Sequence, residues 1–362
     1  MTDEVASVPS RTPDTERWTG TVFTFLSTFL FAISHVSVRY LTNYGEIDHN
    51  WMLFFKETVG LSILVPWLLL RWGQGRYRYT SFRLAFWIII AAIFCQVVGA
   101  RLQVLGFAVI GLIIAVPLIQ SAMLLGIALL GRFVFGDSLS RRRKIAITIL
   151  IVAAAILSIG KEMTAGQTPG NDAVRTEAVG TGIFLLIAIG TIVAGVAYAV
   201  YMTMLRYVIR QHWADNNSTW LSFKFRHWIG YDHVKQPGER FYSPFPLTLA
   251  MALVLGVGVV FFGLLLYNKS GVAGFYNVPG VAWYCVVISG ICNLVGFFFQ
   301  VHGLRMTSAV QVSLISVSQM LLLSLIGYMC FGEVIDKYGL VLLGLGLTVY
   351  GVFMSAKPEV PR

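Results

Sequence analysis

The sequence predicts an all-α integral membrane protein of ten transmembrane helices, arranged as two inverted five-helix repeats. Three observations lead there: an apolar composition, ten apolar runs of bilayer-spanning length, and a match of the chain to itself at a constant shift. Of 362 residues, 57% are hydrophobic, 14% aromatic and only 12% charged, and mean hydropathy is +0.74. A water-soluble chain carries about a quarter charged residues, so this one cannot cover a body that faces water on all sides. The net charge of +10 raises nucleic acid as a partner, but the basic residues are spread over several connectors rather than gathered on one face, which excludes it. Cys95, Cys285, Cys292 and Cys330 lie in or at the edges of apolar runs, as small packing residues do, and form no disulfide framework. A polar stretch of about seventeen residues precedes the first apolar run, which is too long for a signal-peptide core; that run reads as the first span.

A span needs about 20 apolar residues. Runs of that kind fall at 18–40, 51–71, 84–106, 109–131, 144–161, 180–205, 246–267, 281–303, 308–330 and 338–355. Turn formers or charges fill most connectors, as in Thr42-Asn43-Tyr44-Gly45 and Gly136-Asp137-Ser138. The organisation that follows is a cytoplasmic tail (1–17), a first five-helix repeat (18–161), an external polar linker (162–179), a second repeat (180–355) with a cytoplasmic insertion (206–245), and a final tail (356–362). The insertion mixes Trp213, Trp220, Phe223, Phe225, Trp228, Tyr231, Phe241 and Tyr242 with Lys224, Arg226 and Lys235, a blend suited to the headgroup zone as an interfacial flap. With the N-terminus inside, Arg39, Lys56, Lys161, Arg175, Lys269 and Lys337 fall on the far side and Arg101 within a span; the other Lys and Arg fall inside. This bias predicts both termini in the cytoplasm, and the lack of an N-terminal targeting pattern is compatible with a bacterial cytoplasmic membrane.

The self-match supplies the repeat. A shift of 196 positions lays Trp87 on Trp283, Phe135 on Phe331, Gly136 on Gly332, Asp137 on Glu333 and Arg141 on Lys337, without a gap across three helices. Five helices separate the copies, so the copies are inverted, and the inner connector at 132–144 is far more basic than its outer counterpart at 331–338. Inverted five-helix repeats are a device of secondary transporters, whose halves rock about a site near the midplane.

Polar groups inside spans are the candidate site, because a mid-helix charge costs about 2.5–3.5 kcal/mol on insertion scales. Arg101 could clamp a carboxylate or phosphate through its planar donors, or pair with Glu57, or snorkel outward. Glu57 is the only carboxylate placed within a span. It is a candidate for proton coupling, with pairing to Lys56, Arg39 or Arg101 as the structural alternative. His35 is a second coupling candidate, or a simple hydrogen-bonded helix histidine. Polar stripes share single helix faces: Gln96, Ala100 and Gln103 on the third helix, Asn293, Gly296 and Gln300 on the eighth, and Ser308, Val312, Ser316 and Gln319 on the ninth. Gln120 is the repeat counterpart of Ser316, and Tyr198 and Tyr201 lie three apart on the sixth helix. These stripes either line a cavity or hydrogen-bond helix to helix.

The stretch Gly303-Leu304-Arg305-Met306-Thr307-Ser308-Ala309-Val310, with Gly332-Glu333 after the next helix, resembles the EamA family of the drug/metabolite transporter superfamily, whose ninth helix starts Ala-Leu-(basic)-aromatic-Thr-Ser-Ala-Ala and ends Gly-Glu. Phe107-Ala108 through Gly111 and Gly136-Asp137 are the weaker first copy, and Phe31 to Arg39 is similar to the family's first helix. The resemblance implies ten helices and movement of a small metabolite. Where many members carry Glu-Pro, this chain has Met123-Leu124 and Gln319-Met320, and Pro117 lies nearer the start of the fourth helix. The ninth helix is therefore expected to lack a proline kink and a buried acid.

An enzyme is excluded by the lack of a phosphate loop, a zinc-protease pair of histidines or cysteines at metal spacing, and no cofactor is expected. A channel would want a filter-like loop. The reading is thus a gradient-driven transporter of a small polar metabolite, amino-acid-like or an organic acid, working by alternating access. An exporter of hydrophobic or cationic drugs, and less so a membrane channel, stay open as alternatives. The partners are the small-molecule substrate and the lipid bilayer, with a homodimer left open.

Overall fold

A computed structural model describes residues 13–43, 47–74, 82–135, 141–160, 181–209, 247–276, 278–307, 309–331 and 338–356. No strand occurs among them. The first half holds α1 (Pro13–Asn43), α2 (His49–Gly73), α3 (Phe82–Ile93), a π-helical segment (Phe94–Ala100), α4 (Arg101–Ile110), α5 (Leu112–Phe135) and α6 (Arg141–Gly160). The second holds α7 (Thr181–Ile209), α8 (Leu247–Ser270), a 3₁₀ turn (Val272–Phe275), α9 (Gly280–Met306), α10 (Ala309–Ser316), α11 (Gln319–Phe331) and α12 (Tyr338–Ala356).

Eight helical stretches among the described residues are long and apolar enough to cross a membrane: Trp18–Thr42, His49–Gly73, Ala85–Ile110, Leu112–Phe133, Leu186–Arg206, Thr248–Ser270, Gly280–Leu304 and Leu314–Phe331. The fifth and tenth runs of the sequence fall in α6 and α12, whose apolar stretches among the described residues are Lys144–Ala153 and Leu342–Gly351. The linker 162–179 and the insertion beyond residue 209 lie outside the described residues, as do the Gly136-Asp137 and Gly332-Glu333 pairs.

Packing follows a pairwise scheme. The longest contacts run between α1 and α9, between α7 and the α3–π–α4 rod, between α5 and α7, between α6 and α12, and between α2 and α8. Small residues let these helices approach closely: a Cβ added at Gly290 of α9 would lie 2.8 Å from the Lys56 carbonyl oxygen of α2. At one end of the bundle Asp48 caps α2, accepting from the Asn50 N–H at 2.7 Å, and pairs with Lys269 at the end of α8 at 2.6 Å. Burial works against the Asp48 carboxylate, but the bonds from Lys269 and Asn50 outweigh it and hold the carboxyl below its ordinary pKa. Beside it Trp51 donates from Nε1 to the Phe275 oxygen at 3.2 Å and meets Trp283 edge-on at 5.0 Å, which staples α2 to the start of α9.

One pair of described element ends lies 196 positions apart: Ile110 closes α4 and Met306 closes α9. The chain reverses abruptly after α4 and after α9, but by different means. At Gly111 the backbone takes φ 75° and ψ 173°, a region open almost solely to glycine, while its counterpart Thr307 is extended at φ −132° and ψ 178°. Gly111→Ala is therefore expected to lose about 1–3 kcal/mol of stability, read as a lower melting temperature of the purified protein, with Thr307→Ala as the milder control.

One expectation is corrected. The third span is not a regular α-helix: seven residues, Phe94–Ala100, adopt π geometry, and the helix runs on to Ile110 rather than stopping at 106. The ninth span has no proline, as expected, and is nevertheless interrupted between α10 and α11. Around the break Ser318 N bonds to Ile315 O at 2.9 Å, Met320 N to Val317 O at 2.9 Å and Leu321 N to Ser318 O at 3.1 Å, all three-residue closures. Ser316 meanwhile returns its hydroxyl to Val312 O at 2.9 Å. Serine back-bonding in a β-branched run weakens and bends a helix, and Ser316 and Gln319 flank a tightened, 3₁₀-like turn.

Candidate functional site

Helices α1, α2, the π segment, α4, α5, α7, α8, α9, α10 and α11 enclose a central cavity of about 120 Å³. Its wall carries His35, Lys56, Glu57, Gln96, Gln103, Gln120, Tyr198, Tyr201, Asn293, Gln300, Ser316 and Gln319, with Phe31, Met123, Met202 and Phe297 among the apolar residues between them. Every substrate candidate read from the sequence except Arg101 is on this wall, as are both coupling candidates, Glu57 and His35.

Arg101 is the correction. It opens α4 and is exposed on the outside of the bundle. At about 100° per residue it stands about 100° round the helix from Ala100 and about 160° from Gln103, so the face that turns those two inward turns Arg101 away. Nor does it neutralise Glu57. That carboxylate meets Lys56 Nζ at 3.3 Å through Oε1, and Arg39 instead donates to the Phe107 carbonyl at 2.6 Å, at the negative end of α4. The cation on the cavity wall is Lys56, which the side-by-side count of charges had assigned to the outer edge. Its signal was present in the sequence: Lys56-Glu57 is a charged dipeptide within an otherwise apolar span.

The amides tie helices together and still leave capacity. Gln103 accepts from the Tyr198 hydroxyl at 2.5 Å and lies 3.3 Å from His35 Nε2, joining α7, α4 and α1. Gln96 donates to Val254 O at 3.3 Å. Its position on the π segment beside Gly258 depends on that glycine, where an added Cβ would lie 2.9 Å from Glu57 Cγ and 3.2 Å from Gln96 Cδ. Gln120 donates to Gln319 Oε1 at 3.0 Å across the interface of α5 and α11. Whichever way that amide pair is oriented, one carbonyl oxygen and one NH₂ remain for something else. Tyr201 stacks on Phe297 at 5.8 Å.

Five wall residues present buried polar atoms with no hydrogen-bond partner among the described residues: Glu57 Oε2, Gln120 Oε1, Tyr201 OH, Gln300 Oε1 and Gln319 Nε2. A buried polar atom left unsatisfied costs about 1–3 kcal/mol, so their collection round one cavity marks a place built to be satisfied by a polar guest or water. The sequence stripes pointed to these residues. Their convergence with Phe31, Met123, Met202 and Phe297 was beyond one-dimensional periodicity, since apolar residues in apolar helices carry no signal. No group of His, Cys, Asp and Glu suited to a metal occurs among the described residues.

Residues 234–356 match the EamA-like transporter family. Comparison with curated proteins gave no match. Among solved structures, one crystal structure of a protein superposes with a TM-score of 0.59 at 14% identity, covering 93% of this chain and 97% of the other. That likeness is one of fold.

Proposed function

Starting from a chain whose residues 234–356 are EamA-like and whose apolar helices make it an integral membrane protein, we propose that it is a secondary transporter of a small polar metabolite. The cargo is amino-acid-like or an organic acid, bound in the central cavity and exposed to each side of the membrane in turn. The observation that carries this is the set of unpartnered buried polar atoms round one cavity, supplied by helices of both halves. The common end of α4 and α9, 196 positions apart, and the pairing of α1 with α9 and of α7 with α3–π–α4 support two inverted halves, ten helices in all, rocking about that cavity. The break between α10 and α11 and the π segment are the irregular places on its wall, the kind of backbone that membrane proteins tolerate beside a cavity.

With no nucleotide-binding motif in the sequence, a gradient drives the cycle, and Glu57 and His35 are the titratable wall groups available to couple it. The charge bias supports both termini in the cytoplasm; the membrane in this reading is a bacterial cytoplasmic membrane, with substrate reaching the cavity from either face. The test is to replace Gln103 and Gln300, on opposite halves, by cysteine in a background without native cysteines and to crosslink them in proteoliposomes. Uptake of labelled amino acids and organic acids is expected to fall to background and to return on reduction. Unchanged uptake in the crosslinked protein would reject a central site between moving halves.

A further inference from the structure

Among the described residues, Lys56 and Glu57 are the only Lys, Arg, Asp or Glu side chains on the cavity wall. They touch at 3.3 Å, and Glu57, 2% exposed, keeps Oε2 buried and unpartnered. Lys56 is itself 12% exposed. A buried ion pair is weak evidence of stabilisation, because desolvation consumes most of the attraction between its members. This one is also incomplete, since half of the carboxylate has nothing to accept. Of the other unpartnered wall atoms, Gln120 Oε1 and Gln300 Oε1 accept, Gln319 Nε2 donates and Tyr201 OH can do either. The described wall therefore offers acceptors and donors together with one carboxylate and one ammonium, with no net formal charge.

We propose that the Lys56–Glu57 pair reads the charge of the cargo: Glu57 Oε2 accepts from a ligand ammonium while Lys56 donates to a ligand carboxylate, so the cavity selects zwitterions over organic acids and simple amines. This rests on the central cavity being the transport site. The physical reason is charge balance in a poorly solvated space. A zwitterion added to a neutral pair leaves the sum at zero and gives each charge an opposite neighbour. A monoanion leaves Glu57 Oε2 without a donor and adds a like charge beside it, and a monoamine does the same to Lys56. Rejection by unpaired buried charge is the stronger part of such selectivity. Phe31, Phe297 and Met202 supply the apolar wall for the rest of the molecule.

Two matched sets of probes test it on the purified full-length protein by ligand-induced thermal shift and titration. One is leucine, 3-methylbutylamine and 4-methylpentanoate; the other is phenylalanine, phenethylamine and 3-phenylpropanoate. Each set holds the apolar group constant and offers both charges, the ammonium alone or the carboxylate alone. The zwitterion of at least one set is expected to bind about tenfold or more tighter than its amine and acid. Glu57→Gln is expected to weaken the zwitterion by about tenfold and to abolish discrimination against the acid. Because that variant leaves Lys56 buried and alone, the double variant Lys56→Met/Glu57→Gln accompanies it; with no charge to strand, it should fold and lose preference among the three probes. Acids binding as tightly as zwitterions, no zwitterion binding in either set, or a double variant with unaltered preference would each overturn the proposal. If the Gln103/Gln300 crosslink still blocks uptake in those cases, only the charge reading falls; if it does not, the transport site falls as well.

Discussion

Glu57→Ala is expected to destabilise the protein by about 3–5 kcal/mol, the cost of breaking a buried ion pair from one side. The substitution removes the carboxylate 3.3 Å from Lys56 Nζ and leaves an ammonium on a cavity wall with no other acid among the described residues. Lys56→Met/Glu57→Gln should recover most of that loss, because exchanging a whole buried pair for residues of similar volume is commonly near neutral. The four corners of this cycle, measured by denaturation in detergent or nanodiscs, give the coupling between the two side chains directly. A loss below about 1 kcal/mol for Glu57→Ala would mean that water in the cavity solvates Lys56 unaided.

Arg101→Leu is expected to act in the opposite sense, stabilising the membrane-inserted protein by up to about 3 kcal/mol while leaving transport rates unaltered. An arginine near the middle of a span costs about 2.5–3.5 kcal/mol on insertion scales, and leucine is favourable there. Arg101 is exposed on the outer surface of α4 and absent from the cavity wall, so nothing in the site compensates its insertion. Melting temperature in nanodiscs and initial uptake rates in proteoliposomes check the two halves of the prediction separately. A variant that kept its stability but lost uptake would restore Arg101 to the binding machinery.

Arg101 and Lys56 also show why the site was only partly legible. Both are basic residues within apolar runs, and a mid-span arginine is the more conspicuous. Which one reaches the cavity depends on helix rotation. The stripe of Gln96, Ala100 and Gln103 already implied a direction for its helix, and Arg101 lies off it; read strictly, the periodicity would have set Arg101 aside. The π segment at Phe94–Ala100 had no comparable signal, because its Phe-Cys-Gln-Val-Val-Gly-Ala sequence would sit equally well in an α-helix. The break at residues 317–318 carries no proline to mark it in the sequence. Serine back-bonding, visible only as Ser316 Oγ on Val312 O, weakens that turn without one.

The sequence by itself determined that the chain belongs in a bilayer, where the apolar runs lie, which helix faces carry amides, and the shift that relates the two halves. Those are local or periodic properties, set by transfer free energy and by 3.6 residues per turn, and they survive without knowledge of neighbours. Only the tertiary structure decided that Lys56 rather than Arg101 stands beside Glu57 in the cavity, that Gln120 reaches Gln319, and that Glu57 Oε2 and the Gln300 oxygen are left unpartnered. These depend on helices more than a hundred residues apart meeting at close approaches such as Gly290 on the Lys56 backbone. Satisfaction of a buried polar atom belongs to the space between helices and is written in no single one of them.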